Sequence, residues 1–94
     1  MVKRVKVEFI GVLREVAGTN EITLDLEDNA TLKDVMEKLA DKYGRGLETR
    51  ILEENRVSDD ALVIINGKSI RSTDVSSIAM RNGDEIALAP ESSP

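Results

Sequence analysis

Apolar and polar residues alternate strictly at the start of the chain. Over residues 3–10, Val5, Val7 and Phe9 alternate with Arg4, Lys6 and Glu8. This period of two predicts a strand with one face buried. The scheme returns over residues 20–27, where Ile22, Leu24 and Leu26 alternate with Thr23, Asp25 and Glu27. Between them runs Gly11 to Thr19, with an Arg14-Glu15 pair and Gly18, so the two strands are expected to form an antiparallel hairpin with a long connection. Asp28-Asn29-Ala30-Thr31 breaks the alternation, and Thr31 with Asp34 three positions on resembles a helix N-cap. Leu32, Val35, Met36, Leu39, Ala40 and Tyr43 then recur at helical spacing, opposite Asp34, Glu37, Lys38, Asp41 and Lys42. Gly44 stands where a left-handed C-cap residue belongs.

The second half is less regular. Residues 45–60 are polar, with Leu47, Ile51, Leu52 and Val57 as anchors, a short helical turn near 47–54, and a loop at Ser58-Asp59-Asp60. Ala61-Leu62-Val63-Ile64-Ile65 is a continuous apolar run, expected to be a central strand with both faces partly covered. Asn66-Gly67 is a strong hairpin-turn signal, so Lys68-Ser69-Ile70 is expected to return as a short strand. Val75 and Ile78 pin a connecting segment, Asn82-Gly83-Asp84 forms a turn, Glu85 to Ala89 is the last strand, and Pro90 stops it. The order β-β-α-β-β-β predicts an α+β roll, one mixed sheet with a single main helix packed on one face. Residues 1–90 are read as the domain. Glu91 to Pro94, with nothing to bury, are read as a flexible tail.

Composition narrows what such a roll can do. Ninety-four residues suit one domain. With Phe9 and Tyr43 as the only rings, aliphatic side chains must fill the core. Cysteine and histidine are both absent, which removes disulfides, thiolate metal sites, the commonest general base and every Cys-His or Ser-His-Asp nucleophile system. The carboxylates fall mostly on solvent faces, without EF-hand spacing and without a marked acid/base pair. Gly44-Arg45-Gly46 follows a helix and lacks the Gly-Lys-Ser/Thr of a P-loop, so a helix C-cap explains it better. No catalytic residue, metal or cofactor is expected. A net charge of −5, with scattered basic residues and no stacking aromatics among them, argues against nucleic acid and favours a basic partner surface. There is no signal-peptide core and no apolar stretch of the ~20 residues a membrane-spanning helix needs, so a soluble cytoplasmic protein is expected.

What remains is surface. Ile10 continues the first strand on the side away from the helix. In the apolar run Val63 and Ile65 cannot share a face with Leu62 and Ile64, and Ala87 and Ala89 face opposite to Ile86 and Leu88. We assign Ile10, Ile65, Ala87 and Ala89 to an apolar strip on the open face of the sheet, as partner-binding residues. Arg14 is a further candidate for partner contact, with the alternative that Arg14-Glu15 only satisfies the hairpin loop.

The strand ending in Phe9-Ile10, followed by Val12-Leu13-Arg14-Glu15-Val16-Ala17-Gly18, resembles the opening of the molybdopterin synthase small subunit and its archaeal ubiquitin-like relatives. Val63-Ile64-Ile65-Asn66-Gly67 and Asn82-Gly83-Asp84-Glu85-Ile86-Ala87-Leu88-Ala89-Pro90 resemble that family's later strands, and the likeness extends over nearly the whole chain. The resemblance implies a ubiquitin-like β-grasp fold and a sulfur-carrier or modifier role without cofactors. It implies two partners: a ubiquitin-activating-type adenylyltransferase, and the large subunit of molybdopterin synthase, whose pocket receives the tail. In the family the tail ends in Gly-Gly, and its terminal carboxylate is adenylated and converted to a thiocarboxylate or joined to a lysine. Here the corresponding residues read Pro90-Glu91-Ser92-Ser93-Pro94, which puts Pro94 at the first glycine position. Pro90, Ser93 and Pro94 are therefore the tail residues of interest. A terminal proline, with its fixed φ, is expected to be a poor substrate for an enzyme built around glycine. The alternative function is an interaction or regulatory module that has lost the carrier chemistry.

Overall fold

The computed structural model of the chain describes residues 2–54, 56–58, 61–70 and 74–90. The expected loop residues Asp59 and Asp60, and the tail residues 91–94 with Ser93 and Pro94, lie outside the described residues. Strand β1 (Lys3–Phe9) is followed by a short helix α1 (Val12–Ala17), strand β2 (Glu21–Leu26), the main helix α2 (Leu32–Tyr43) and helix α3 (Arg45–Ile51). Strands β3 (Leu52–Glu53), β4 (Arg56–Val57), β5 (Ala61–Ile65) and β6 (Lys68–Ile70) come next, then a 3-10 turn over Val75–Ser77 and the last strand β7 (Glu85–Pro90).

Five strands make one mixed sheet in the order β2-β1-β7-β5-β6, with β3 and β4 forming a separate two-stranded ribbon. The chain's first and last strands pair in parallel, while β1–β2, β5–β6 and β5–β7 are antiparallel. Helix α2 packs on one face of this sheet, the ubiquitin-like β-grasp roll that the resemblance implies. Its start is fixed by the Thr31 N–H, which donates to the Asp34 carboxylate at 2.7 Å and satisfies a donor the helix itself cannot. Leu32, Val35, Met36 and Leu39 are buried against Val5, Val7, Phe9, Leu26, Val63, Ile86 and Leu88 of the sheet. Tyr43 meets Phe9 edge to face, with ring centroids 5.5 Å apart, so the two rings of the chain close one end of the core together. Leu13, Leu47, Ile51 and Val57 seal the rest.

Three features differ from the sequence-based expectation. The connection between β1 and β2 is not a plain loop, because Val12–Ala17 coils into α1 and drives Leu13 into the core. Six residues are too few for a helical period to declare itself. The helical turn expected near 47–54 is α3, starting two residues earlier and ending before the β3–β4 ribbon. Gly44 has a positive φ of 90° but a ψ of 166°, so it is an extended link into α3 rather than a left-handed cap. Ala61–Ile65 is, as expected, an interior strand, paired to β7 on one side and β6 on the other with neither face exposed.

Since Leu39 lies fully buried between α2 and the sheet, Leu39→Ala is expected to cost ~2–5 kcal/mol through lost burial and the cavity left behind. Urea denaturation measures it, and a loss below about half a kcal/mol would contradict this packing.

Candidate functional site

Because side chains alternate across a strand, the register of the sheet decides what its helix-free face carries. Between the parallel strands Lys6 pairs with Glu85, Glu8 with Ala87 and Phe9 with Leu88. Between β5 and β7 Ile64 pairs with Ala87 and Leu62 with Ala89. One row across the face therefore reads Glu8, Ala87, Ile64, and the next reads Ala89, Leu62. The Ile10 N–H donates to the Leu88 carbonyl at 2.9 Å, carrying the parallel pairing one step past β1 and bringing Ile10 beside Ala89. Ile10 is 39% exposed and Val12, the first residue of α1, is 40% exposed; apart from Val2 they are the only large apolar residues so exposed among the described residues. Leu62, Ile64 and Ala87 are half-buried and Ala89 is nearly covered. Ile10, Leu62, Ile64, Ala87 and Ala89 form an apolar strip at the end of the face where β7 finishes, and the exposed Val12 follows Ile10 in the chain.

Charge takes over toward the other end. Lys6 Nζ lies 3.3 Å from the Glu21 carboxylate and 3.9 Å from that of Glu8, and Arg4 Nε lies 3.1 Å from Asp25. The hydrogen bond and charge of Glu21, with smaller contributions from Glu85 and Glu8, hold the Lys6 ammonium above its ordinary pKa against a small opposing effect of burial. These pairs are exposed and screened, so they pattern the surface more than they stabilise it. The resulting face is apolar at the β7 exit, with Glu8 and Glu85 as its nearest acidic neighbours.

The strip does not contain every residue the sequence nominated. Ile10, Ala87 and Ala89 come together on it. Ile65 is not among them: it shares the helix side with Ala61 and Val63, pairs with Ile86 and packs against the core. Its place on the open face is taken by Ile64. An unbroken apolar run cannot reveal which parity faces inward; the larger Ile86 and Leu88 in the pairing strand were the available signal. Arg14 is exposed on α1, roughly 200° around the helix from Val12 at about 100° per residue. Val12 was missed, since only the helix turns it outward while Leu13 goes in. Pro90 ends β7 half-buried beside Gly11.

No group of three or more candidate metal ligands is found among the described residues, and none of their helices is long and apolar enough to cross a membrane. Asp84 is the one buried charged residue among the described residues, and its carboxylate is fully engaged: it accepts from the Asn66 amide at 2.9 Å and from the Arg81 N–H at 2.7 Å. It braces two turns rather than facing a ligand. The described residues thus present an apolar strip beside the end of β7.

Gly11 holds that end together. It adopts φ 63° and ψ −135°, a region essentially confined to glycine, and a Cβ there would sit 3.4 Å from the Pro90 ring. Gly11→Ala is accordingly expected to cost ~1–3 kcal/mol. Gly46→Ala, in helix α3 with open space around it, is expected to be neutral or slightly stabilising by comparison. Equal effects of the two in denaturation would contradict the strained entry to α1.

Comparison with known proteins gives a consistent result. The sequence model of the ThiS family matches residues 7–90. Small archaeal modifier protein 3 of Haloferax volcanii is 31% identical over 85 residues, covering 90% of this chain and 91% of the relative. The solution structure of small archaeal modifier protein 1 from Methanosarcina acetivorans superposes with a TM-score of 0.78 at 31% identity, covering 100% of this chain and 98% of that one. A putative molybdopterin converting factor subunit 1 from Pyrococcus furiosus shares the fold, with a TM-score of 0.74 at 22% identity, covering 94% of this chain and 97% of that one.

Proposed function

The chain belongs to the ThiS family, and on that premise we propose that it is a non-catalytic, ubiquitin-like sulfur carrier or modifier that works by docking. In this reading residues 1–90 are the docking domain and residues 91–94 the tail it presents. The first partner is an adenylyltransferase of the ubiquitin-activating type. The second is a receiving subunit of the kind that the large subunit of molybdopterin synthase represents, as in molybdenum cofactor biosynthesis. The protein would act in the cytoplasm, in keeping with a chain free of cysteine.

One observation carries the reading: the apolar strip of Ile10, Leu62, Ile64, Ala87 and Ala89 lies at the end of the sheet where β7 delivers the chain to the tail. A partner that takes the tail into its own site would cover this strip in the same act. Binding energy gathered on the strip would then position the terminal carboxylate. The chain itself contributes no acid, base or metal to the activation of that carboxylate. The carboxylate attacks the α-phosphorus of ATP and pyrophosphate leaves. Hydrosulfide then displaces AMP from the acyl carbon, so that one carboxylate oxygen departs with AMP and sulfur takes its place.

A second reading is an interaction module that docks through the same strip without this chemistry. Intact-mass spectrometry after incubation with ATP, sulfide and a candidate adenylyltransferase separates the two. A gain of about 16 Da, sulfur for oxygen in the acyl substitution, is expected for the carrier, while an unchanged mass beside a reacting glycine-tailed relative would leave the module. Docking is tested apart from chemistry by Ile64→Asp. That change is expected to weaken adenylyltransferase binding at least about tenfold while leaving the fold intact. Undiminished binding would remove the open face from the account.

A further inference from the structure

The outer edge of the sheet is a second surface, of different character from the open face. Strand β2 is the edge strand, paired on one side to β1 and on the other to nothing within the sheet. The Phe9 N–H donates to the Asn20 carbonyl at 2.8 Å. The antiparallel alternation from that bond turns the backbone groups of Ile22, Leu24 and Leu26 toward β1 and those of Thr23 and Asp25 outward. Glu21 is partly occupied, since its carbonyl accepts from the Thr19 hydroxyl at 3.2 Å. At six residues β2 is twice the length of β6 on the opposite edge, and it carries neither lysine nor proline, the residues that commonly protect such edges.

At the C-terminal end of β2, a groove of about 270 Å³ lies between Leu26, the following residues Glu27 and Ala30, and the α2 residues Glu37 and Asp41. Asp34 also lines it but is committed to the Thr31 N–H, and Lys38 is the only cation in the lining. Glu37 and Asp41 stand one helical turn apart on α2, and no ion pair engages either of them or Glu27 among the described residues. A second copy of this chain, with its own net charge of −5 and the same acidic wall, would be repelled from this edge.

We propose that the β2 edge accepts an extended basic segment of a partner protein as an added sixth strand. Its backbone bonds to the outward N–H and C=O groups of Thr23 and Asp25, and arginine or lysine at its alternate positions faces Glu37 and Asp41. This surface lies on the far side of the sheet from β5 and depends on neither the tail nor the apolar strip. It would leave the open face free for an adenylyltransferase.

The test is a titration of the full-length, ¹⁵N-labelled chain with a capped synthetic peptide alternating arginine and valine, followed by amide shifts and amide exchange. Shifts centred on residues 22–27 and 37–41 are expected, together with slowed exchange at the Thr23 and Asp25 amides. Thr23→Pro removes only an outward-facing donor and suits an edge strand; it is expected to weaken the peptide at least about tenfold. The Glu37→Lys/Asp41→Lys pair is expected to do the same, whereas Ile64→Asp leaves binding unchanged. Where Thr23→Pro disturbs the fold, the charge-reversed pair and the exchange data decide. Shifts on the open face, no shifts, or loss with the charge reversal but without slowed exchange at Thr23 and Asp25 would each overturn the proposal.

Discussion

The parallel pairing of the first and last strands is the constraint on which the rest of this structure depends. Parallel neighbours have no tight turn between them, so loop length cannot set their register. Here side chains and turns set it instead. The Asp84 carboxylate ties the Arg81 N–H to the Asn66 amide, and the Asn66 side chain in turn accepts from the Glu85 N–H at 2.9 Å. On the other side the Asn82 side chain accepts from the Arg4 N–H, the Gly83 N–H donates to the Arg4 carbonyl, and the Asp84 carbonyl accepts from the Lys6 N–H. The turn before β7 is thereby fastened to β1 and to the β5–β6 hairpin at once. A slip of one residue would send Ile86 and Leu88 to the open face and bring Ala87 and Ala89 into the core. The core and the candidate docking strip thus share one cause.

That dependence also explains how much was legible in the sequence. The main helix was plain because Leu32 to Tyr43 show three turns of uninterrupted period between a capping pair and a glycine. The Asn66-Gly67 turn was equally plain, and the structure gives both residues the positive φ that a two-residue hairpin requires. Strands β1 and β2 announced their buried faces because polar residues mark the other face. β5 could not, since Ala61 to Ile65 are all apolar; its parity is fixed by β7, a partner distant in sequence. Ile65 was misplaced for that reason and Ile64 overlooked. Helix α1 and the β3–β4 ribbon were too short to show a period, and Val12 was missed with α1. An unpaired edge is a property of strand order, which no local pattern contains.

Two surfaces of different chemistry result from this layout. The open face pairs an apolar strip with the end of β7, the arrangement on which the proposed docking role rests. The β2 edge offers backbone groups and carboxylates, and suits an extended basic segment. The first lies on the open face over β5 and β7 and the second along the outer edge at β2, so the two proposed surfaces do not overlap.

The most direct test of the docking account is mapping of the bound surface by hydrogen exchange on the chain in complex with a candidate adenylyltransferase. Protection is expected on the segments containing Ile10 to Val12, Leu62 to Ile64 and Ala87 to Pro90, with the exposed side of α2 unchanged. Protection confined to α2 and α3, with the open face exchanging as in the free protein, would contradict it.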